Sequence, residues 1–430
     1  MGLNKYFKIG KNEIYPVHRS ICGKGIRKVL KIIKREFKNL KIKNIKCGSK
    51  VYDWVVPSEW EAQDAYIKNK YQNKIIDFKK NNLHLLSHSI SIKKTISKEE
   101  LLNRLHTHNK LDDAIPYITS YYKKNWGFCV TKKFKNNLIK KYKKRDKFNI
   151  NIKTKFNPKG NLNYGELFIK GKSPEEILIS TYICHPQMAN NETSGIIVSM
   201  ALINFFMKKK INKSLRFIFV PETIGSISFL SKNIDYLKKN VIGGYNISCI
   251  GDERNYSCIL SKYGNSPSDN ALKYTYKKLD IKYKTYSFLL RGSDERQFNS
   301  PGIDLPIATI CRSKFDEYKE YHSSLDNFKV VTLGGLKGGF TVAKEAINYL
   351  LTNTYPKSKF KCEPQLGKRN LYPNLSNNVY GKYSLKLLDF LQYSDGSNNI
   401  KEISKKIKVN SKISNNLYKI LKKNKLLKYS

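Results

Sequence analysis

Between residues 148 and 352 short β-branched runs alternate with longer stretches of helical period. Strands are predicted over 149–156, 164–169, 177–183, 215–220, 244–250, 258–261, 283–289 and 307–311, and helices over 195–210, 225–233, 268–279 and 333–351. Strands alternating with helices predict a largely parallel sheet covered on both faces. The organising stretch runs from Ile177 to Met200. An apolar strand breaks at Cys184-His185-Pro186, crosses a polar loop over 187–193, and opens at Ser194-Gly195 into an amphipathic helix ending at Lys208-Lys209-Lys210. Open α/β sheets bind ligands beyond the carboxyl ends of their strands, and His185 is the first reactive side chain off this one.

The flanks read differently. A basic amphipathic helix fits 24–38, followed by a strand-like segment. From YDWVVPSEWEAQDAY at 52–66 the pattern turns irregular and β-rich. The expected organisation is an α/β domain over 1–51 and 148–352, a small inserted β-rich domain over 52–147, a polar linker over 353–383 and a helical module over 384–430. In that module apolar clusters at Leu385/Leu388/Leu391, Ile400/Ile403/Ile407 and Ile413/Leu417/Ile420/Leu421 predict three short helices, and the final LLKY a small strand: a winged-helix-like fold. Its third helix carries no arginine for base readout, which favours an interaction module over a DNA reader.

Composition changes this picture little. Lys+Arg 81 against Asp+Glu 34 gives a formal charge of +47, but only 11 of the 81 are arginine, and lysine is spread throughout beside abundant Asn, Ile and Tyr. That distribution fits compositional bias better than a selected polyanion-binding face, so nucleic acid is not the expected partner. The eight cysteines show no CxxC spacing, there is no apolar amino-terminal signal, and the longest apolar helix falls short of the roughly 20 residues that span a bilayer. A cytoplasmic protein without membrane contact is expected.

Chemistry gathers at strand ends. One strand gives His185, the next ends at Pro221-Glu222-Thr223, a third at Gly251-Asp252-Glu253, and His322 follows the last strand in EYHSSLD. Neighbouring parallel strands would collect these groups in one crevice, where two imidazoles and several carboxylates suit zinc with a carboxylate base. Each residue alone reads equally well as a loop polar group or a helix cap. His106-Thr107-His108 lacks acidic neighbours and is read as loop histidines.

The segments ICHPQMANNETSG, FVPETIGSISFL, GDERNYS, RGSDERQFNSPGIDLP and EYHSSLDN resemble aminopeptidase-like proteins described only as domains of unknown function, relatives of the di-zinc aminopeptidases and glutamate carboxypeptidases. The resemblance extends through PSEWEAQDAYI, AIPYITSYYKKNWGFC and CEPQLGKRNLYP, and so over nearly the whole chain. It implies an α/β phosphorylase/hydrolase-like zinc-peptidase sandwich with a small inserted domain and a terminal winged helix, and a link to surface polysaccharide biosynthesis. Carried over, His185 matches the first-metal histidine, Asp252 its carboxylate partner, Glu222 the general base and His322 the second-metal histidine. Two positions depart: Asn191 stands where the bridging aspartate belongs, and Thr223 where the second metal's carboxylate belongs. The resemblance therefore implies one zinc at most, or none, with Glu192 as a disfavoured substitute ligand. Asp294 and Arg296 are expected to line the crevice, Arg296 either clamping a substrate carboxylate or pairing with Asp294 or Glu295.

Three readings compete. The first is a metal-dependent amide or peptide hydrolase acting on a small peptide-like substrate or a glycan precursor. The second is a degenerate relative that binds a ligand or partner without turnover. The third, a DNA-binding regulator, is weakest. A homo-oligomer stays open.

Overall fold

The computed structural model describes residues 2–372 and 378–428. Its centre is an eight-stranded sheet of β1 (Lys41–Lys46), β2 (Asn161–Ile169), β3 (Glu176–Tyr182), β4 (Ser214–Val220), β5 (Val241–Ile247), β6 (Ser257–Ile259), β7 (Lys284–Tyr286) and β8 (Ile307–Cys311), in the spatial order β1-β2-β4-β3-β5-β8-β6-β7. The middle of it and the edge pair β6–β7 meet the expectation of parallel strands. β4, β3, β5 and β8 run parallel, β1 and β2 pair antiparallel on one side, and β6 is antiparallel to β8 on the other. The departure on the β2 side has a simple cause. Residues 170–175 between β2 and β3 are too few for the crossover of a dozen or more residues that a parallel return needs.

The sheet is covered on both faces, as β3 shows. Ile177 and Ile179 join one apolar cluster with the helices Ser194–Phe206 and Leu333–Thr352, while Leu178 joins another with Ile224–Asn240. Side chains alternate sides along a strand, so continuous burial requires cover above and below. The helix Ser194–Phe206 was expected to be amphipathic. It is buried on all sides, at every residue except Asn204 and Phe205, because the amino-terminal helix Leu3–Ile9 and the helix Leu333–Thr352 close over its outer face. A Cβ on Gly195 would lie 2.4 Å from the Ile247 carbonyl oxygen and 2.6 Å from Thr181 Oγ1, so the helix starts hard against the ends of β3 and β5.

A second sheet holds Lys74–Asp77, Glu59–Lys68, Lys147–Asn157 and Ile92–Ser97, all antiparallel, over a core that includes Trp60, Ile67, Phe148, Ile150 and Ile152. The strand predicted at 149–156 thus belongs here and not to the alternating βα series. Its burial alternates, as in a strand with one face on a core.

The carboxyl-terminal helices Asn378–Gln392, Ile400–Lys406 and Ser411–Lys423 enclose Phe390, Ile403, Leu417 and Leu421, and Leu427 bridges antiparallel to Ser358. The anticipated final strand is reduced to that bridge. Residues 373–377 of the expected linker, and Tyr429 and Ser430, lie outside the described residues. Among the described residues no helix is long and apolar enough to cross a membrane.

Candidate active site

The four parallel strands end on one side of the sheet. β3 continues into Cys184 and His185, β4 into Glu222, β5 into Asp252, and β8 into the loop that carries His322. Three of these four expected residues meet. Glu222 Oε2 lies 3.7 Å from His185 Nε2, and the rings of His185 and His322 are 5.2 Å apart. Tyr117, from the segment between the strands Leu105–His106 and Phe128–Cys129, packs edge-on against both imidazoles at 5.3 and 5.4 Å.

Asp252 does not join them. Its oxygens accept from Asn190 Nδ2 (3.0 Å), Ser313 N (3.0 Å), Ser313 Oγ (2.8 Å) and Arg254 N (2.9 Å), a set that ties the ends of β5 and β8 to the loop after β3. A carboxylate accepting four hydrogen bonds is fully occupied as a structural anchor.

Glu192 reaches His185, though from the far side of the ring. Residues Ala189–Thr193 form a π-helical turn, and from it Glu192 Oε2 accepts from His185 N (2.5 Å) and lies 3.0 Å from Nδ1. Its other oxygen faces Arg19 Nη1 at 2.7 Å, with both side chains wholly buried. A carboxylate on Nδ1 fixes the ring so that Nε2 points to the crevice, as behind metal-bound imidazoles. Sequence reasoning missed Arg19. Its only signal was a lone arginine in the polar stretch VHRS just before the first amphipathic helix.

Glu222 leaves β4 through a strained turn. Thr223 has φ +63° and ψ −79°, and Ile224 N donates to Glu222 O at 2.8 Å, a γ-turn that β-branched residues rarely adopt. The segment Ser293 to Arg296 holds this turn from three directions. Ser293 Oγ donates to Glu222 Oε1 (2.8 Å), Asp294 Oδ1 accepts from Thr223 N (2.7 Å) and Ser226 Oγ (2.8 Å), and Arg296 Nη2 donates to Thr223 Oγ1 (2.6 Å). Asp294 is wholly buried behind the turn and away from solvent.

Electrostatics follow from burial. Burial pushes the Glu222 carboxyl up, against the pull of His185 and Ser293. Burial alone would push His185 down, but Cys184 and the carboxylates Glu192 and Glu222 outweigh it and hold the imidazole well above its usual value. Burial also pushes the Cys184 thiol up and keeps it protonated, so we assign the effect to the carboxylates. Burial and then the His185 charge push His322 well down, leaving it neutral.

Burial and then Glu222 push Asp294 up to about 8. A carboxyl with a raised folded pKa contributes stability that is present below its unfolded value and lost as pH rises through the folded one. Asp294→Asn is therefore expected to be at least about 1 kcal/mol more stable than the parent protein at pH 9, the gap closing toward pH 4. Denaturant titrations across that range would read it, and parallel curves would contradict it.

The donors can be tested against zinc. Cys184, His185 and Glu192 have ligand atoms within 4.8 Å of one another, but Glu192 is committed to Arg19 and the protonated Cys184 thiol accepts from Glu222 N at 3.3 Å. Asn191 uses its amide nitrogen on Tyr182 OH (2.9 Å), which leaves a buried, unpartnered Oδ1, a neutral oxygen. His322 Nε2 is likewise buried without a partner among the described residues. The crevice thus offers two imidazole nitrogens with Glu222 beside them. By donor type that set suits one divalent cation at most, since it lacks the bridging charge that would hold two close together, and among the described residues its three ligand atoms do not all come within 4.8 Å of one another.

Residues 10–353 match the family model described as a domain of unknown function (DUF4910), and residues 353–429 match a winged helix-turn-helix. A Clostridium acetobutylicum protein, provisionally named a polysaccharide biosynthesis protein with aminopeptidase-like domain, is 40% identical over 398 residues, covering 92% of this chain and 89% of its own. The crystal structure of a protein from C. acetobutylicum, provisionally called a peptidase, superposes with TM-score 0.79 at 36% identity, covering 99% of this chain and 96% of the other. The zinc aminopeptidase BSAP from Bacillus subtilis superposes with TM-score 0.62 at 12% identity, over 84% of this chain and 96% of its own, a likeness of fold alone.

Proposed function

Because this chain belongs to the DUF4910 family and carries the peptidase fold with a carboxyl-terminal winged helix, we propose that it hydrolyses an amide bond in the manner of an aminopeptidase, with Glu222 as base. One observation supports this above others. Glu222 has one oxygen fixed by Ser293 and the other 3.7 Å from His185 Nε2, in a setting whose burial pushes its carboxyl up. Its carboxylate takes the proton of the attacking water and passes it to the leaving amine. His185 is oriented by Glu192, and Tyr117 limits water around both imidazoles.

His185 Nε2 and His322 Nε2 would hold one zinc ion beside Glu222. Such an ion supplies Lewis acidity toward the amide carbonyl and acidifies a bound water. His185 must then release its Nε2 proton, which makes loading dependent on pH. The relative's name suggests an amide within a surface-polysaccharide precursor as substrate. Eight cysteines without a disulfide support a cytoplasmic setting. The winged helix is assigned to assembly, with itself or a partner protein, since its third helix carries lysines and no arginine.

A second reading, ligand binding without turnover, draws on Asp252 and Asn191, neither of which offers a free charged oxygen. Elemental analysis of protein purified without added metal separates the two. The hydrolase reading expects no more than one zinc per chain, removed by chelation together with amidase activity. Folded, metal-free protein inert toward amides would establish the binder, and two ions per chain would contradict the donor set described above.

A further inference from the structure

Arg296 lies on the helical turn Glu295–Phe298, half-buried beside the turn that carries Glu222. Asp294 and Glu295 precede it in the chain and Glu222 lies on the turn it holds, yet among the described residues none of the three forms an ion pair with it within 4.0 Å. Each is engaged elsewhere. Glu295 accepts from Gly292 N, Ser293 N, Asn246 Nδ2 and Thr309 Oγ1, Asp294 from Thr223 N and Ser226 Oγ, and Glu222 from Ser293 Oγ. Among the described residues the Arg296 side chain keeps one bond, to Thr223 Oγ1, and its Nε is buried with no acceptor.

A guanidinium presents its donors in a rigid fork that matches a carboxylate bidentately, and a buried donor left unpaired is costly. Here the fork is pinned to the residue that follows the base, so its charge and Glu222 are carried by one turn. We infer that Arg296 is a specificity residue that receives a carboxylate of the substrate. The preferred amides are those whose nitrogen belongs to an amino acid with a free α-carboxylate, a few bonds from the scissile bond. This rests on the amide-hydrolase reading and narrows its substrate class. The expectation of an ion pair between Arg296 and Asp294 or Glu295 is not met, which leaves the cation available.

The test is calorimetric titration of full-length Glu222→Gln protein, in which turnover is blocked, with N-acetylalanine and its uncharged primary amide at low ionic strength. The carboxylate should bind at least about tenfold tighter, as charge-assisted hydrogen bonds allow. Adding Arg296→Met should abolish that preference while leaving the amide's affinity in place, and added salt should narrow it. If the Met variant fails to fold, Arg296→Lys serves instead: a point charge without the fork should lose most of the discrimination. Equal binding of the two probes, binding of neither at millimolar concentration, or a preference that survives loss of Arg296 would overturn the assignment. Failure of the hydrolase reading looks different: the parent protein would cleave no amide while still discriminating between the probes.

Discussion

Arg19→Met should cost the fold about 3–5 kcal/mol, a loss typical of breaking a fully buried ion pair from one side. Both Arg19 and Glu192 have no exposed side chain, and their atoms lie 2.7 Å apart. Removing the guanidinium leaves a carboxylate whose other contacts are the His185 main chain and ring. The site should suffer with the fold, since Glu192 would be free to turn from Nδ1 and His185 would lose its fixed direction. The informative control is Arg19→Met combined with Glu192→Gln. Removing both charges should restore most of the lost stability, because replacing a whole buried pair is often close to neutral. It should not restore ring orientation to the same extent. Denaturant unfolding of the two single variants and the double variant forms a cycle. Additive losses would mean that the two residues do not act on one another.

Glu222→Gln carries the other large effect. Amide cleavage should fall about 10²- to 10⁴-fold, the usual contribution of a positioned general base. The shape of the site should survive, since glutamine still accepts from Ser293 Oγ. Stability should hold or rise at neutral pH. Burial raises the folded carboxyl above its unfolded value, so ionised Glu222 weakens the fold as pH climbs through the folded pKa, and the amide has no such cost. A variant with unimpaired turnover would remove Glu222 from the chemistry altogether. Collapse of the fold would identify it as structural support.

Much of this site could be read in the chain. A short β-branched, largely apolar run from Ile177 to Ile183 has few destinations other than the middle of a covered sheet, and β3 lies there. Once β3, β4, β5 and β8 are parallel neighbours, His185, Glu222 and the loop bearing His322 must emerge on one side. The reading stopped at direction. Whether a carboxylate at a strand end turns to the crevice or back into the loops depends on what distant segments bring to it, and Ser313 turns Asp252 back. Glu192 was disfavoured because a shift of one residue redirects a side chain. The π-helical turn at Ala189–Thr193 redirects it to the rear of His185. Local patterning could not give Arg19 its partner, because the pair joins two segments far apart in sequence. The strand at 149–156 was misplaced for a related reason: its alternation reveals one wet face without saying which sheet it enters.

The junction of the segment around Tyr117 with the crevice bears on how a ligand arrives. Tyr117 N donates to His322 O (2.8 Å), Ser324 N to Ile115 O (2.8 Å) and Ile115 N to Ser324 Oγ (3.0 Å), while the Tyr117 ring sits against two imidazoles. These bonds stitch that segment to the very loop that presents His322. A hinged lid of the kind that swings clear in many enzymes would have to unpick that seam and dismantle the chemistry with it. Access to the crevice is therefore expected to depend on side-chain movement rather than on hinged opening along this seam.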